Sequence, residues 1–169
     1  DTDNNSVDFA TGTPTPMNSG LEATTPEQPE EPEAPGEPVT IAEIQGTGDA
    51  TPLLGAQVTT EGVVTAVYDE GGRNGFIMQT PGTGGVEKQV GDASDAIFVY
   101  LGGVQEFPGI GDSLIVTGQA DEYYGITQLK NPTITVPDTA FAEVTPTKID
   151  RLPAGDAARE PYEHMLVLP

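Results

Sequence analysis

Cysteine is absent from the 169 residues, and with it go disulfide staples, thiolate metal sites and thiol nucleophiles. Basic residues are almost as scarce: 6 Lys and Arg stand against 27 Asp and Glu, a net charge of −21. Nucleic-acid phosphate and anionic lipid are bound largely through Lys and Arg displacing counterions, so a surface this negative repels both. Tryptophan is missing, histidine occurs once at His164, and no apolar run approaches the roughly 20 residues of a membrane helix. No membrane partner is expected. A chain that opens at Asp1 without a basic, apolar leader is expected to be an internal piece of a longer polypeptide.

Glycine (21) and proline (16) are plentiful, and they punctuate short strands while forbidding long helices. Residues 13–38 carry prolines at 14, 16, 26, 29, 32, 35 and 38, five glutamates from Glu27 to Glu37, and no basic side chain. Such a segment cannot bury enough surface to fold, so an extended acidic Pro-rich N-terminal linker is expected there. Residues 1–12, with Val7 and Phe9, are expected to be the tail of a preceding domain.

From Val39 the texture changes to runs of Val, Ile, Thr, Phe and Tyr between Gly and Asp clusters, the signature of strands and turns. Strands are predicted near Val39–Ile44, Ala56–Tyr68, Gly75–Gln79, Ala96–Leu101, Ser113–Ala120, Gly125–Leu129 and Thr133–Val136. The alternation phase of Ala56–Tyr68 breaks at Gly62, which predicts a bulge or bend. In Ala96–Leu101, Ile97, Val99 and Leu101 share one face while Phe98 and Tyr100 share the other. Leu114 and Val116 likewise oppose Ile115 and Thr117.

No stretch holds a sustained 3.6-residue period, so helices are expected to be short, with one turn near Asp156–Glu160. Five principal strands in about 100 residues, the first long and bent, favour an all-β, small Greek-key barrel of the oligonucleotide/oligosaccharide-binding (OB) type over a seven-stranded sandwich. The barrel is placed at 39–145. Residues 146–169 are expected to be a linker and the start of a following module, or an added edge strand on this one.

Ile44–Asp49 (IQGTGD), Gly62–Val67 (GVVTAV), Asn74–Gln79 (NGFIMQ), Ser94–Val99 (SDAIFV), Gly111–Gly118 (GDSLIVTG) and Glu122–Leu129 (EYYGITQL) occur in that order. Together they resemble the OB-like accessory domain of large secreted bacterial nucleases whose catalytic part is of the endonuclease/exonuclease/phosphatase type. The resemblance spans Val39 to Val144. Ser6–Met17 is similar to the closing edge of a lamin-tail-like domain that often precedes it, and Tyr162–Leu168 to the opening of the following module. The chain departs from the pattern in its long acidic linker, in Gly71–Arg73 and in the loop Thr80–Gly91. The resemblance implies an extracellular location and neighbouring domains of the same polypeptide as partners. A second protein chain that holds the linker is a further candidate.

Catalysis within the chain is not expected. The nuclease chemistry of that family needs metal-binding carboxylates and paired His and Asp residues. His164 is the one histidine and reads as an exposed tail residue, and no phosphate-cradling GxxxxGK or HExxH motif occurs.

OB barrels hold single strands on aromatic platforms inside basic grooves. Phe98, Tyr100, Tyr123, Tyr124 and Lys130 are the candidates for such a platform, with Phe76 assigned to the core. Residues 39–145 hold 14 acidic and 3 basic side chains, net −11, so direct binding to nucleic acid is expected to be weak or absent. The competing reading of the aromatics is that they cover barrel ends or contact neighbouring domains. Asp69 and Glu70 (with Asn74) in one loop and Asp92 and Asp95 in another offer oxygen ligands that suit Ca2+; solvated turn carboxylates are the competing reading.

Overall fold

The computed structural model describes residues 37–103 and 106–168. The preceding-domain tail at 1–12 and most of the predicted linker, residues 13–36, lie outside the described residues. In chain order the elements are β1 (Glu37–Pro38), α1 (Ile41–Gln45), β2 (Gln57–Tyr68), β3 (Gly75–Gln79), β4 (Ala96–Tyr100), β5 (Ser113–Tyr123), β6 (Ile126–Thr135), β7 (Thr147–Lys148), α2 (Asp156–Arg159), a 3-10 turn (Glu160–Tyr162) and β8 (Val167–Leu168).

The sheet runs β1-β2-β3-β4-β6-β5, and β5 pairs back onto β2 to close a five-stranded barrel, with β1 laid parallel on β2. β4 and β6 are parallel and every other barrel pairing is antiparallel. This is the Greek-key OB arrangement, and the all-β small barrel is the fold of the chain.

One strand must serve two neighbours for so short a barrel to close. The first half of β2, Gln57–Val63, pairs with β5, and the second half, Val63–Tyr68, pairs with β3. The switch falls beside Gly62, where the alternation breaks in the sequence, and a register shift follows between Val64 and Ala66. A Cβ on Gly62 would lie 2.9 Å from Met78 Cγ, so glycine lets the bent strand close over the core.

β6 corrects the two separate strands predicted at Gly125–Leu129 and Thr133–Val136. It continues through Asn131 and Pro132 opposite a register shift between Thr117 and Gln119. Proline is tolerated in a strand at such an irregularity, where the regular ladder is already interrupted.

The predicted strand Val39–Ile44 is also corrected, because Ile41–Gln45 is helical. Thr40 and Glu43 form a capping box: the Thr40 hydroxyl accepts from Glu43 N–H at 3.2 Å, and Glu43 Oε2 accepts from Thr40 N–H at 2.8 Å. The local cap outweighs β-branched propensity, and Ile41 and Ile44 drop into the barrel core. That core also holds Val58, Val64, Phe76, Met78, Ile97, Val99, Leu101, Leu114, Val116 and Leu129. Phe76 and the inward faces of β4 and β5 therefore lie where the period of two predicts.

A second, smaller apolar cluster forms outside the barrel wall. Ile77, Ala96 and Phe98 there meet Met165 of the C-terminal segment. Residues 147–168 do not stand apart from the barrel as a linker would. β7 and β8 pair in parallel, Leu166 N–H donates to the buried Gln79 Oε1 at 2.9 Å, and the Ser94 hydroxyl donates to Glu163 C=O. The Tyr162 hydroxyl accepts from Lys88 N–H and donates to Lys88 C=O. The apolar run at 163–168 thus finds its partner in the outward side chains of β3 and β4.

Candidate functional site

On the outer wall of β4, β6 and β5, the side chains that alternate away from the core lie side by side. Phe98 stands opposite Gln128 in the parallel β4–β6 pairing, Asp121 opposite Gln128 across β5–β6, and Tyr123 opposite Ile126. The β2–β3 loop adds Gly72 and Arg73 above this wall, and the β5–β6 hairpin adds Tyr124. The result is a cleft of about 360 Å3 whose aromatic lining is Phe98, Tyr100, Tyr123 and Tyr124. OB barrels bind oligonucleotides and oligosaccharides on the face of their second and third strands and between the loops that join strands one to two and four to five. Here those strands are β3 and β4, so the cleft shares β4 and both loops with that face, while Ile77 of β3 is covered by Met165 of the C-terminal segment.

The hairpin displays its aromatics at a conformational cost. Tyr123 and Ile126 are the closing pair, so Tyr124 and Gly125 form a two-residue turn, with φ of 52° and 76°. Two positive φ values define the type I′ hairpin, which favours Asn-Gly; a bulky aromatic in the left-handed region is disfavoured. Tyr124 is nevertheless 90% exposed, with its ring edge-on to Tyr123 at a centroid distance of 4.6 Å.

Arg73 supplies the cation of the cleft. Its guanidinium lies 5.5 Å from the centroid of the Tyr68 ring and forms no ion pair among the described residues. Gly71–Arg73 of the β2–β3 loop are therefore what places a positive charge at the rim.

Lys130 has a different role. It shares the outward face, but its Nζ is 2.9 Å from Asp121 Oδ1, and it does not line the cleft. Asp121 also accepts from Gln128 Nε2 at 3.0 Å, and the Gln128 and Lys130 hydrogen bonds hold its carboxyl below the usual range.

His164 is not the exposed tail residue that the sequence suggests. Docking of the C-terminal segment buries it beside Phe98, with ring centroids 6.1 Å apart, and it lines the floor of the cleft. Burial, with a smaller effect from Arg73, pushes its pKa down to about 4. Glu163 Oε1 lies 3.4 Å from His164 Nε2, but burial first, and then Glu160 and Glu122, raise the Glu163 carboxyl to about 7. Between those values both groups are uncharged, so the contact is not an ion pair. Nε2 is shut off from solvent without a hydrogen-bond partner.

The carboxylates considered for Ca2+ are spread out. Asp69 and Glu70 are exposed in the β2–β3 loop, Asp92 Oδ2 accepts from Gln89 N–H at 2.7 Å in its own turn, and Asp95 pairs with Lys88. Among the described residues no three His, Asp or Glu side chains converge as a metal-ligand set.

Of the aromatic candidates read from the sequence, Phe98, Tyr100, Tyr123 and Tyr124 converge on the cleft and Lys130 stands behind it. Ile126, Gln128 and Asp121 were not among them. Their signal was the period-two phase of ITQLK, which sets Ile126, Gln128 and Lys130 opposite the core residue Leu129. No protein-family model matches the chain, and no curated protein matches its sequence. Barrel and cleft together define a five-stranded OB-type barrel with an aromatic-lined cleft.

Proposed function

We propose that the chain is a non-catalytic OB-type accessory module of a secreted nuclease, and that its cleft takes one or two bases of a single strand. In doing so it would present substrate to, or orient, a catalytic domain elsewhere in the same polypeptide. The observation that carries this reading is the convergence of four aromatic rings and Arg73, which forms no ion pair among the described residues, on a cleft between the two loops that flank the OB ligand face. Every base has a π face, so such a platform accepts bases in turn, at about 1–3 kcal/mol per stacked base. Two stacks and one phosphate contact amount to roughly 5 kcal/mol, a Kd of roughly a few hundred micromolar. Weak contact suits a module that must pass substrate on. The extracellular setting rests on the sequence resemblance and on an acidic, cysteine-free composition that stays soluble in salt.

The other reading of the sequence is a strand-pairing module of a cell-surface or filament-forming protein. It would have Val7, Phe9 or the Glu163–Leu168 strand pair with another chain; Val7 and Phe9 lie outside the described residues, while Val167–Leu168 pairs with Thr147–Lys148 of the same chain and Met165 is buried against β3 and β4. The first reading is preferred for that reason. Titrating the 169-residue chain with single-stranded octanucleotides, followed by tyrosine fluorescence, tests it. Quenching that is weakened at least tenfold by Tyr123→Ala with Tyr124→Ala, and no hydrolysis of the DNA with added Mg2+ or Ca2+, is the expected result. Unchanged binding by the double variant, or turnover by the pure chain, would overturn it.

A further inference from the structure

The floor of the cleft holds polar atoms whose direction is set by the residues behind them. Lys130 Nζ lies 2.9 Å from Asp121 Oδ1, and the other carboxylate oxygen, Oδ2, accepts from Gln128 Nε2 at 3.0 Å. An ionised carboxylate only accepts, so the amide nitrogen of Gln128 must face Asp121. The amide oxygen Oε1 is left turned away, with no hydrogen-bond partner among the described residues, and it is not among the sequestered polar atoms. His164, beside Phe98 on the same floor, has its Nε2 shut away toward Glu163. Its Nδ1 is neither sequestered nor bonded among the described residues. Above pH 7 Glu163 is ionised, which favours the tautomer with the proton on Nε2 and leaves Nδ1 as a second acceptor.

We infer that the cleft selects nucleobases that carry an exocyclic amino group over thymine, with Gln128 Oε1 as the reading atom and Asp121 as its positioning residue. The inference rests on the proposed reading of the cleft as a single-strand site. Cytosine, adenine and guanine offer N–H2 donors at an edge, whereas the lone N3–H donor of thymine lies between two carbonyl oxygens. Those carbonyls would meet Gln128 Oε1 and His164 Nδ1 acceptor to acceptor. Aromatic walls hold any base, so selectivity comes from the floor and affinity from the walls. A neutral sugar ring would also suit aromatic walls, but only a nucleic-acid strand brings a phosphate to match the Arg73 charge at the rim.

The test compares (dC)8, (dA)8 and (dT)8 at pH 8 in low salt on the 169-residue chain, by tyrosine fluorescence or calorimetry. One net hydrogen bond is worth about a fivefold preference, so (dC)8 and (dA)8 are expected to bind roughly fivefold more tightly than (dT)8. Gln128→Met keeps the volume and removes the acceptor; the ratio should fall to near one as (dC)8 and (dA)8 lose their hydrogen bond and (dT)8 loses the acceptor clash. Asp121→Asn lets the amide of Gln128 turn its N–H2 to the cleft, so the preference should fall below one, toward thymine. A loss of structure would not reverse a ratio. Equal affinity for the three oligonucleotides, or a ratio untouched by both variants, overturns the base reading and leaves the cleft as an unselective platform. No binding to any of them, or binding only to a neutral oligosaccharide, overturns the single-strand reading as well.

Discussion

At the scale of single residues, His164 and Glu163 form the most unusual contact in the molecule. Each is driven to its neutral form by burial, His164 to a pKa of about 4 and Glu163 to about 7, from ordinary values of 6.5 and 4.5. The consequences for stability oppose each other. The neutral His164 contributes stability that is present above pH 6.5 and is lost as the pH falls toward 4. The protonated Glu163 contributes stability that is present below pH 4.5 and is lost as the pH rises toward 7. Between pH 4.5 and 6.5 the two slopes cancel in the native chain. Glu163→Gln leaves His164 alone, so the stability of that variant relative to the native chain should climb with pH through this window. His164→Gln should show the reverse slope. Urea midpoints from pH 4 to 8 read both directly, and two variants that run parallel to the native chain would contradict the assignment. None of this was legible in the sequence, where a lone histidine near Pro169 looks like a tail residue; burial comes from Met165 docking on Phe98 across 67 residues of chain.

At the scale of elements, what the sequence revealed followed from periodicity and what it concealed followed from caps and tertiary docking. The alternation of β4 and β5 placed Ile97, Val99, Leu114 and Val116 in the core and turned Phe98 and Tyr100 outward, as found. The short helix Ile41–Gln45 was hidden because β-branched Ile41 and Ile44 read as strand, although Thr40 and Glu43 already spelled the capping box. The bend of β2 was legible at Gly62. The gathering of Tyr100, Tyr123 and Arg73 was not, since it needs the closure of β4 against β6 in parallel, a pairing of distant segments.

The β5–β6 hairpin carries its own trade between stability and binding. Tyr124 sits where a type I′ turn favours asparagine. Tyr124→Asn should therefore stabilise the chain by about 0.5–1 kcal/mol in chemical denaturation. The same change should weaken single-strand binding by roughly tenfold, through loss of one stacking surface. A variant that is destabilised, or that binds as well as the native chain, would contradict the view that the turn holds an aromatic at its tip for a ligand.

For the whole molecule, charge decides how the cleft behaves. The barrel region carries net −11, and Arg73 is the cation that lines the cleft. General phosphate attraction cannot supply affinity here, so stacking must, and the salt dependence should be that of about one phosphate contact, a slope near −0.7 or shallower. Screening of the long-range repulsion by added salt acts in the opposite direction and flattens it further. This separates the module from the basic OB domains that wrap single strands tightly. It is also why the cleft is proposed to present a strand and not to store it.

The most direct measurement is a heteronuclear NMR titration of the chain with (dC)8. Saturable amide and side-chain shifts gathered at Gly72, Arg73, Phe98, Tyr100, Tyr123, Tyr124 and Gln128 are the expected result. An unresponsive spectrum at millimolar oligonucleotide, or shifts confined to residues outside the cleft such as Thr59 and Thr117 of the β2–β5 pairing, would contradict it.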